Sequence, residues 1–436
     1  VLVMPLDFLE FDEERSKRHM YWGMGKIMMK AGRLVERHPQ LFGTYITNFS
    51  CGPDSFVVGY FREIMGRKPS LTLELDSHTA DAGLETRVEA FLDIVHAYRQ
   101  LVAQKKIIQP NKSFRPAQIA NVNGAAKVLT SSGETLPMAD PRVTVLLPSM
   151  GKLTSEAFAA VLKGSGFHAK AHRPSDEAVL KLGRANTSCK ECLPLILTTG
   201  TLLNYVNNGR RDGEVVVYFF ATGSGPCRFG QYFIFMEDLI KRLEIPDVAL
   251  FTLSSEDGYV GMEKDFDTRA WWAVVTADVM EDIRSMILVN AVDTQKAVER
   301  FEAEWQAIFA ALEKGGFSVL EEQLMHTAGH LRQIPMKQPP ETVPTITLSG
   351  EIFVRRDALS RQNITERLAE KGFATTCSPV AEWVLYSNYM VDQGLTSGSM
   401  TMLEKLKFKI RNKFQARYEK RIKSILSESG LVHAEP

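Results

Sequence analysis

The chain is 436 residues long, 44% hydrophobic and 24% charged, with 52 basic against 52 acidic side chains and a formal net charge of zero. That balance gives bulk electrostatics no argument for nucleic acid; no uninterrupted apolar run approaches the ~20 residues of a membrane span, and no signal peptide opens the sequence. Five cysteines, an odd and sparse count, are unlike a secreted disulfide framework, so a cytoplasmic globular protein of roughly two to three domains is expected.

In chain order, the opening VLVMPLDFLEF reads as a strand with nothing before it. With Val1 in place of an initiating methionine, this suggests a fragment of a larger polypeptide. Residues 1–104 form a first α/β unit. It has a strand at 44–49, a turn Cys51-Gly52-Pro53-Asp54 and an apolar-periodic helix at 55–65. A second strand at 71–75, an acidic loop at 76–83 and a long helix at 84–104 complete it. Residues 105–140, with Pro110, Pro116, Pro137 and several Asn, Ser and Gly, read as a linker or excursion.

Residues 141–265 form a second α/β domain. Its strand at 142–147 leads to a helix capped by Thr154 or Ser155. A strand at 168–171 and a helix after Cys192 come next. Then follow a strand at 214–220, the turn Gly223-Ser224-Gly225-Pro226-Cys227, a helix at 229–243, a strand at 248–253 and an acidic loop at 254–261. Residues 266–340 form a helical layer, continuously helical from Arg269 to about Arg332, with Trp271, Trp272, Ile283, Phe301, Trp305 and Ile308 at helical spacings. Residues 341–400 form an α/β segment, with a strand at 345–354, a helix at 364–371 and Cys377 beyond. Residues 401–436 form a basic amphipathic helix with Leu403, Leu406, Ile410 and Phe414 on one face. That face reads as a docking stripe in preference to a membrane-surface helix.

The segments around Cys51 and Cys227 repeat one order of events, strand, turn with cysteine, helix, strand and acidic loop. Such an internal repeat builds parallel sheets whose ligands gather at the carboxyl ends of the strands. Cys51, Cys192 and Cys227 each stand where an apolar segment gives way to a turn and then a helix. There the helix N-terminus favours thiolate and a soft metal can be ligated, which points to an iron–sulfur site. Three widely separated thiolates leave a four-iron cubane one ligand short, open to water, substrate or another group. Cys189 makes a C-x-x-C with Cys192, which alone suggests zinc or redox work, but no second pair or nearby histidines complete a zinc site. Cys377 has the least clear helix-start context and reads as structural.

Glu74, Asp76, His78 and Asp81 lie along a post-strand loop. A solvated capping loop is the plainer reading than an oxygen-rich metal site, though Glu74, Asp76 and His78 remain candidate walls of a cleft. Arg228, beside Cys227, either offsets negative charge on a reduced cluster or pairs with an acid. The glycines at 223, 225 and 230 fit neither the dinucleotide fingerprint nor the phosphate loop. No H-E-x-x-H or G-x-S-x-G occurs.

CGPDSF with LTLELDSHTADAGLETRVEAFLD, the KECLPLILTTG segment, GPCRFGQY and SGEIFVR resemble the 2-hydroxyacyl-CoA dehydratase family. The closest likeness is to the region that follows the ATPase modules in its large activase-related proteins. The same stretch is similar to dehydratase, benzoyl-CoA reductase and double-cubane cluster protein subunits, over nearly the whole chain except 105–140. The resemblance implies paired flavodoxin-like α/β domains with added helices around an iron–sulfur cluster, with Cys51, Cys192 and Cys227 at its ligand positions. Cys189 stands where many relatives have another residue. A single four-iron cubane is the expectation. A double cubane takes more thiolates than this chain's five cysteines supply, so it would need others from upstream.

The implied activity is reductive. An ATP-hydrolysing activator with its own cluster delivers a low-potential electron, which passes to a small substrate such as an acyl-CoA thioester. No nucleic acid or membrane partner is implied, and a dimer is compatible. Two other readings stay open: a non-catalytic docking or scaffold region of a larger activase, and a zinc- or flavin-dependent α/β enzyme.

Overall fold

The computed structural model describes residues 2–17, 20–48, 51–76, 79, 81–104, 114–122, 125–188, 190–223, 227–254, 265–395 and 401–433. In chain order it begins with a 3-10 turn at Leu6–Phe8, then α1 (Gly23–Arg37), β1 (Gly43–Thr47), α2 (Asp54–Met65), β2 (Ser70–Glu74) and α3 (Asp81–Ala103). Three short strands follow, β3 (Gln118–Val122), β4 (Ala125–Leu129) and β5 (Thr135–Pro137). Then come β6 (Val143–Leu147), α4 (Lys152–Gly164), β7 (Ala169–Ala171), α5 (Glu177–Asn186), α6 (Leu193–Asn208) and β8 (Val215–Thr222). A 3-10 turn at Arg228–Gln231 runs into α7 (Tyr232–Arg242) and β9 (Val248–Ser254). The rest is α8 (Phe266–Asn290), α9 (Thr294–Lys314), α10 (Phe317–Leu331), β10 (Thr345–Leu348), α11 (Ile352–Arg356), α12 (Ile364–Ala369), β11 (Ala374–Cys377), α13 (Ala381–Asp392) and α14 (Met402–Ser427).

The chain falls into two compact units. The first takes Val1–Pro116, Arg184–Ile196 and Ala221–Pro246; the second takes Ala117–Gly183, Leu197–Phe220 and Asp247–Pro436. In the first unit β1 and β2 run parallel in the register Gly43↔Ser70 to Thr47↔Glu74, so Thr47 and Glu74 end the pair together. The connecting helix α2 buries Phe56, Val57, Tyr60, Phe61 and Met65, the spacing of one apolar face. Each such aromatic or methionine is worth ~1.5–3 kcal/mol of transfer free energy. α1 crosses this face at Gly32, where an added Cβ would stand 3.4 Å from the Phe61 ring.

The second unit is built on the strand order β7-β6-β8-β9. β6 pairs parallel with both β7 and β8. Numbered within the sheet this is the order 2-1-3-4 of flavodoxin-like folds, so the chain is an α/β protein of that kind. All five residues of β6 are buried, as both faces of a parallel sheet require. The core joins this sheet to α4, α8, α9, α10 and α14 through Phe266, Ile283, Phe301, Trp305, Leu324 and Ile425. A second parallel pair, β10 with β11, runs from Thr345↔Ala374 to Leu348↔Cys377.

Several sequence expectations change. The opening residues form no strand: Leu2 is fully exposed and order starts with the turn at Leu6–Phe8, because no neighbouring strand pairs with the segment. The stretch 105–140 is more than a linker. Its first part, 105–113, lies outside the described residues; 118–137 carry the antiparallel β3-β4-β5 sheet, with Ser131, Ser132 and Gly133 (φ +92°) between β4 and β5 and Val128, Leu136 and Met138 buried. α4 starts at Lys152, ahead of Thr154; Ser155 instead accepts from the Met150 N–H at 2.9 Å. The helical layer breaks into three helices at residues 291–293 and at Gly315-Gly316, both of positive φ. The strand at 345–354 stops at Leu348, and 352–356 turns into α11 with Glu351 capping the Val354 N–H.

The contact-defined units also cut across the expected boundaries. Cys192 and Cys227, placed by sequence in a 141–265 domain, belong to the same unit as Cys51.

Candidate metal centre

Three turns of the first unit carry the cysteines. Cys51 follows β1 and precedes α2, with its N–H on the Asn48 carbonyl at 3.0 Å. At the first position of α2, Asp54 turns its carboxylate back to the strand, accepting from Tyr45 at 2.8 Å and Thr47 at 2.5 Å. Its backbone N–H and its carboxylate both reach the Cys51 sulfur, the first favouring a thiolate and the second opposing it. Burial nonetheless outweighs that donation, and with the Asp54 charge it holds the Cys51 thiol above its ordinary value. Thus the thiolate that a helix start favours is not favoured at Cys51 in the metal-free chain.

Cys192 stands immediately before α6, and its carbonyl accepts from Ile196 at 3.2 Å. Two residues earlier, Lys190 reaches Glu74 at the end of β2, at 2.5 Å, which fastens the Cys192 turn to the carboxyl end of the β1-β2 pair. Between them Glu191 is buried, with one carboxylate oxygen on the Ser188 N–H and the other without a partner.

Cys227 is exposed, at the N-cap of the 3-10 turn that opens into α7. Its carbonyl accepts from the Tyr21 hydroxyl at 2.5 Å. Glycine is required at 230, because a Cβ there would collide with the Gly223 carbonyl and stand 2.6 Å from the Tyr21 ring. Arg228 ties this turn to the first: its guanidinium donates to Ser55 at 3.1 Å and its stem lies against Gly52. Behind the turns, Phe56 of α2 stacks on Tyr232 of α7 at 6.1 Å, and Tyr60 donates to the Gln231 carbonyl at 3.2 Å.

Tyr21 reports how the turns gather. Burial, joined by negative charge on Cys227 and on Cys192, pushes its phenol up to about 12. It is therefore a neutral donor at physiological pH, near both sulfurs. Beyond it, Asp238 accepts from Lys17 at 2.5 Å, and burial lifts its carboxyl to about 7.

Of the sequence candidates, Cys51, Cys192, Cys227, Arg228 and Glu74 all belong to the first unit, with Arg228 bonded to Ser55 beside the Cys51 turn and Glu74 to Lys190 of the Cys192 turn. Asp76 instead caps its own turn, accepting from the Thr79 hydroxyl at 3.1 Å. His78 and Cys189 lie outside the described residues. Cys377 is in the second unit, buried, with its sulfur 3.4 Å from the Arg355 carbonyl. Tyr21, Asp54 and Lys190 escaped the sequence reading, since no spacing motif marks a residue that acts through a distant turn. Asp54 alone carried a signal, as an acid opening a helix directly after a cysteine.

Among the described residues no three His, Cys, Asp or Glu side chains are placed to hold a single metal ion between them. Cys189, the other half of the C-x-x-C, lies outside the described residues. The four described cysteines are free thiols, a soft donor set of the kind iron–sulfur clusters take. No helix among the described residues is long and apolar enough to cross a membrane. Compared with family models, with curated proteins and with solved structures, the chain matches none.

Proposed function

We propose that the first unit holds an iron–sulfur cluster on Cys51, Cys192 and Cys227, and that the chain works as a reductive component of the 2-hydroxyacyl-CoA dehydratase and activase type. The observation that carries this is that three cysteines, 176 residues apart from first to last by their numbers, share one compact unit and each stand in the turn just before a helix or 3-10 turn. When bound, such a cluster supplies one-electron transfer at low potential.

The chain's own residues have definite tasks in this reading. The Asp54 N–H stabilises negative charge on the Cys51 sulfur. The Arg228 guanidinium places positive charge beside the Cys51 turn, and Tyr21 fixes the Cys227 turn through its carbonyl. Lys190 and Glu74 hold the Cys192 turn in register with the sheet. Hydrogen bonds to sulfur and local charge of this kind tune the potential and the affinity of such a centre. The electron donor would be an ATP-hydrolysing activator, and the acceptor a small substrate such as an acyl-CoA thioester.

The test is iron and acid-labile sulfide on strictly anaerobic protein. Roughly four irons per chain are expected, lost in each of Cys51→Ser, Cys192→Ser and Cys227→Ser and retained in Cys377→Ser. Absence of iron from the wild-type chain under those conditions overturns the proposal.

A further inference from the structure

Two long helices each leave one face uncovered, and the charges on those faces match. α3 has no buried residue along its 23 positions. It meets its own unit edge-on, with Tyr98 against Phe42 at 6.1 Å. Asp81, Glu85, Glu89 and Asp93 form an exposed acidic row repeating every four residues, with exposed Val88 beside it and exposed Ile94 and Leu101 on another face. α14 buries Phe408, Gln415, Ile422, Ile425 and Leu426 on one side. Its other side exposes Leu406 (56%), Ile410 (49%) and Phe414 (53%). Along that stripe Lys405, Lys409, Lys413 and Arg417 form an exposed basic row, again every four residues.

At 1.5 Å per residue both charged rows are ~18 Å long. Among the described residues none of these eight charges takes part in an ion pair. Like charges four apart on a helix repel, so each row is destabilising until it faces the opposite sign. The apolar stripe of Leu406, Ile410 and Phe414 beside the basic row is the kind of exposed patch that marks an interaction surface. A lipid surface of anionic headgroups would satisfy the basic row but repel the acidic one. A helix bearing the acidic row satisfies both.

We propose that α3 of one copy lies along α14 of a second copy, in a twofold arrangement that forms the contact twice. Closed two-fold pairing is the commonest assembly of soluble chains, and complementary charge rows beside an apolar seam set partner and orientation. The inference does not depend on the cluster.

The test is sedimentation velocity on the full chain. Wild type is expected as a dimer that dissociates as salt rises. Lys405→Glu/Lys409→Glu/Lys413→Glu should halve the mass, and so should Glu85→Lys/Glu89→Lys/Asp93→Lys. An equimolar mixture of the two triple variants should restore a dimer, because each reversed row then meets a reversed partner. All six sites are exposed, and an unchanged thermal melt followed by circular dichroism checks that the monomers are folded. A monomeric wild type, a dimer indifferent to both reversals, a mixture that stays monomeric, or a monomer that binds phosphatidylserine vesicles overturns the proposal.

Discussion

The two units each end a parallel strand with a cysteine or a cysteine-bearing turn, and they treat it in opposite ways. In the second unit Cys377 closes β11 and is 4% exposed, its thiol pushed up chiefly by burial. The following helix start is already supplied with negative charge. Asp278 accepts from the Val380 and Ala381 N–H groups at 2.9 and 3.0 Å, and Asp282 accepts from the Cys377 N–H at 3.1 Å. Arg356 balances Asp278 in a buried pair at 2.7 Å. In the first unit the acid at the helix start, Asp54, faces its own strand, and its N–H reaches the Cys51 sulfur. A strand-end position is therefore common to the buried Cys377 and to the cysteine proposed as a ligand, Cys51. What separates them is that two buried carboxylates hold the N–H groups around Cys377, while Asp54 bonds back to its own strand.

The comparison is broken most severely by removing what balances each end. Arg356→Ala strands Asp278 without its counter-charge in the interior and should cost ~3–5 kcal/mol, with iron content of the folded fraction unchanged. Phe56→Ala removes a side chain that is 1% exposed and that stacks α2 on α7. It should cost a similar ~3–5 kcal/mol and, unlike the first variant, reduce bound iron. Denaturant titration with iron analysis separates the two; equal iron loss in both would erase the distinction between the units.

A smaller effect comes through pH. Burial raises Asp282 to about 7, against ~3.9 in an unfolded chain. The native state therefore binds this proton more tightly. The associated stability is fully present below about pH 4 and is lost as pH rises through about 7. Asp282→Asn keeps an acceptor for the Cys377 N–H and should flatten the dependence of unfolding free energy on pH across that window. An unchanged slope would show that Asp282 is not the titrating group.

The mildest probe is thiol reactivity in metal-free folded protein. Cys227, exposed, should be alkylated first, the half-buried Cys51 and Cys192 later, and Cys377 last, at the rate of local opening. Mass spectrometry of timed quenches gives the order, and early labelling of Cys377 would contradict its burial.

Much of the local structure was legible along the chain. β1, α2 and β2 around Cys51, and β8, α7 and β9 around Cys227, lie within a few residues of the segments their periodicity marks. Short-range packing rules act over just such windows. The meander at 118–137 was obscured because its strands are short and its β4–β5 turn is built of the same Ser and Gly that signal a linker. α11 was hidden because it is five residues long and opens on Ile352-Phe353-Val354, a run whose composition favours strand.

Sequence alone thus determined the α/β class, the strand–cysteine–helix units and the basic, amphipathic character of α14, because alternation, helical spacing and turn chemistry are properties of neighbours. Tertiary structure decided that Cys192 and Cys227 join Cys51 and that Cys377 does not. It also decided that Asp54 turns from the helix to its strand, and that Tyr21 and Lys190 reach the turns they hold. These outcomes depend on which surfaces meet after long stretches of chain have intervened, and on burial costs that exist only once those surfaces have closed.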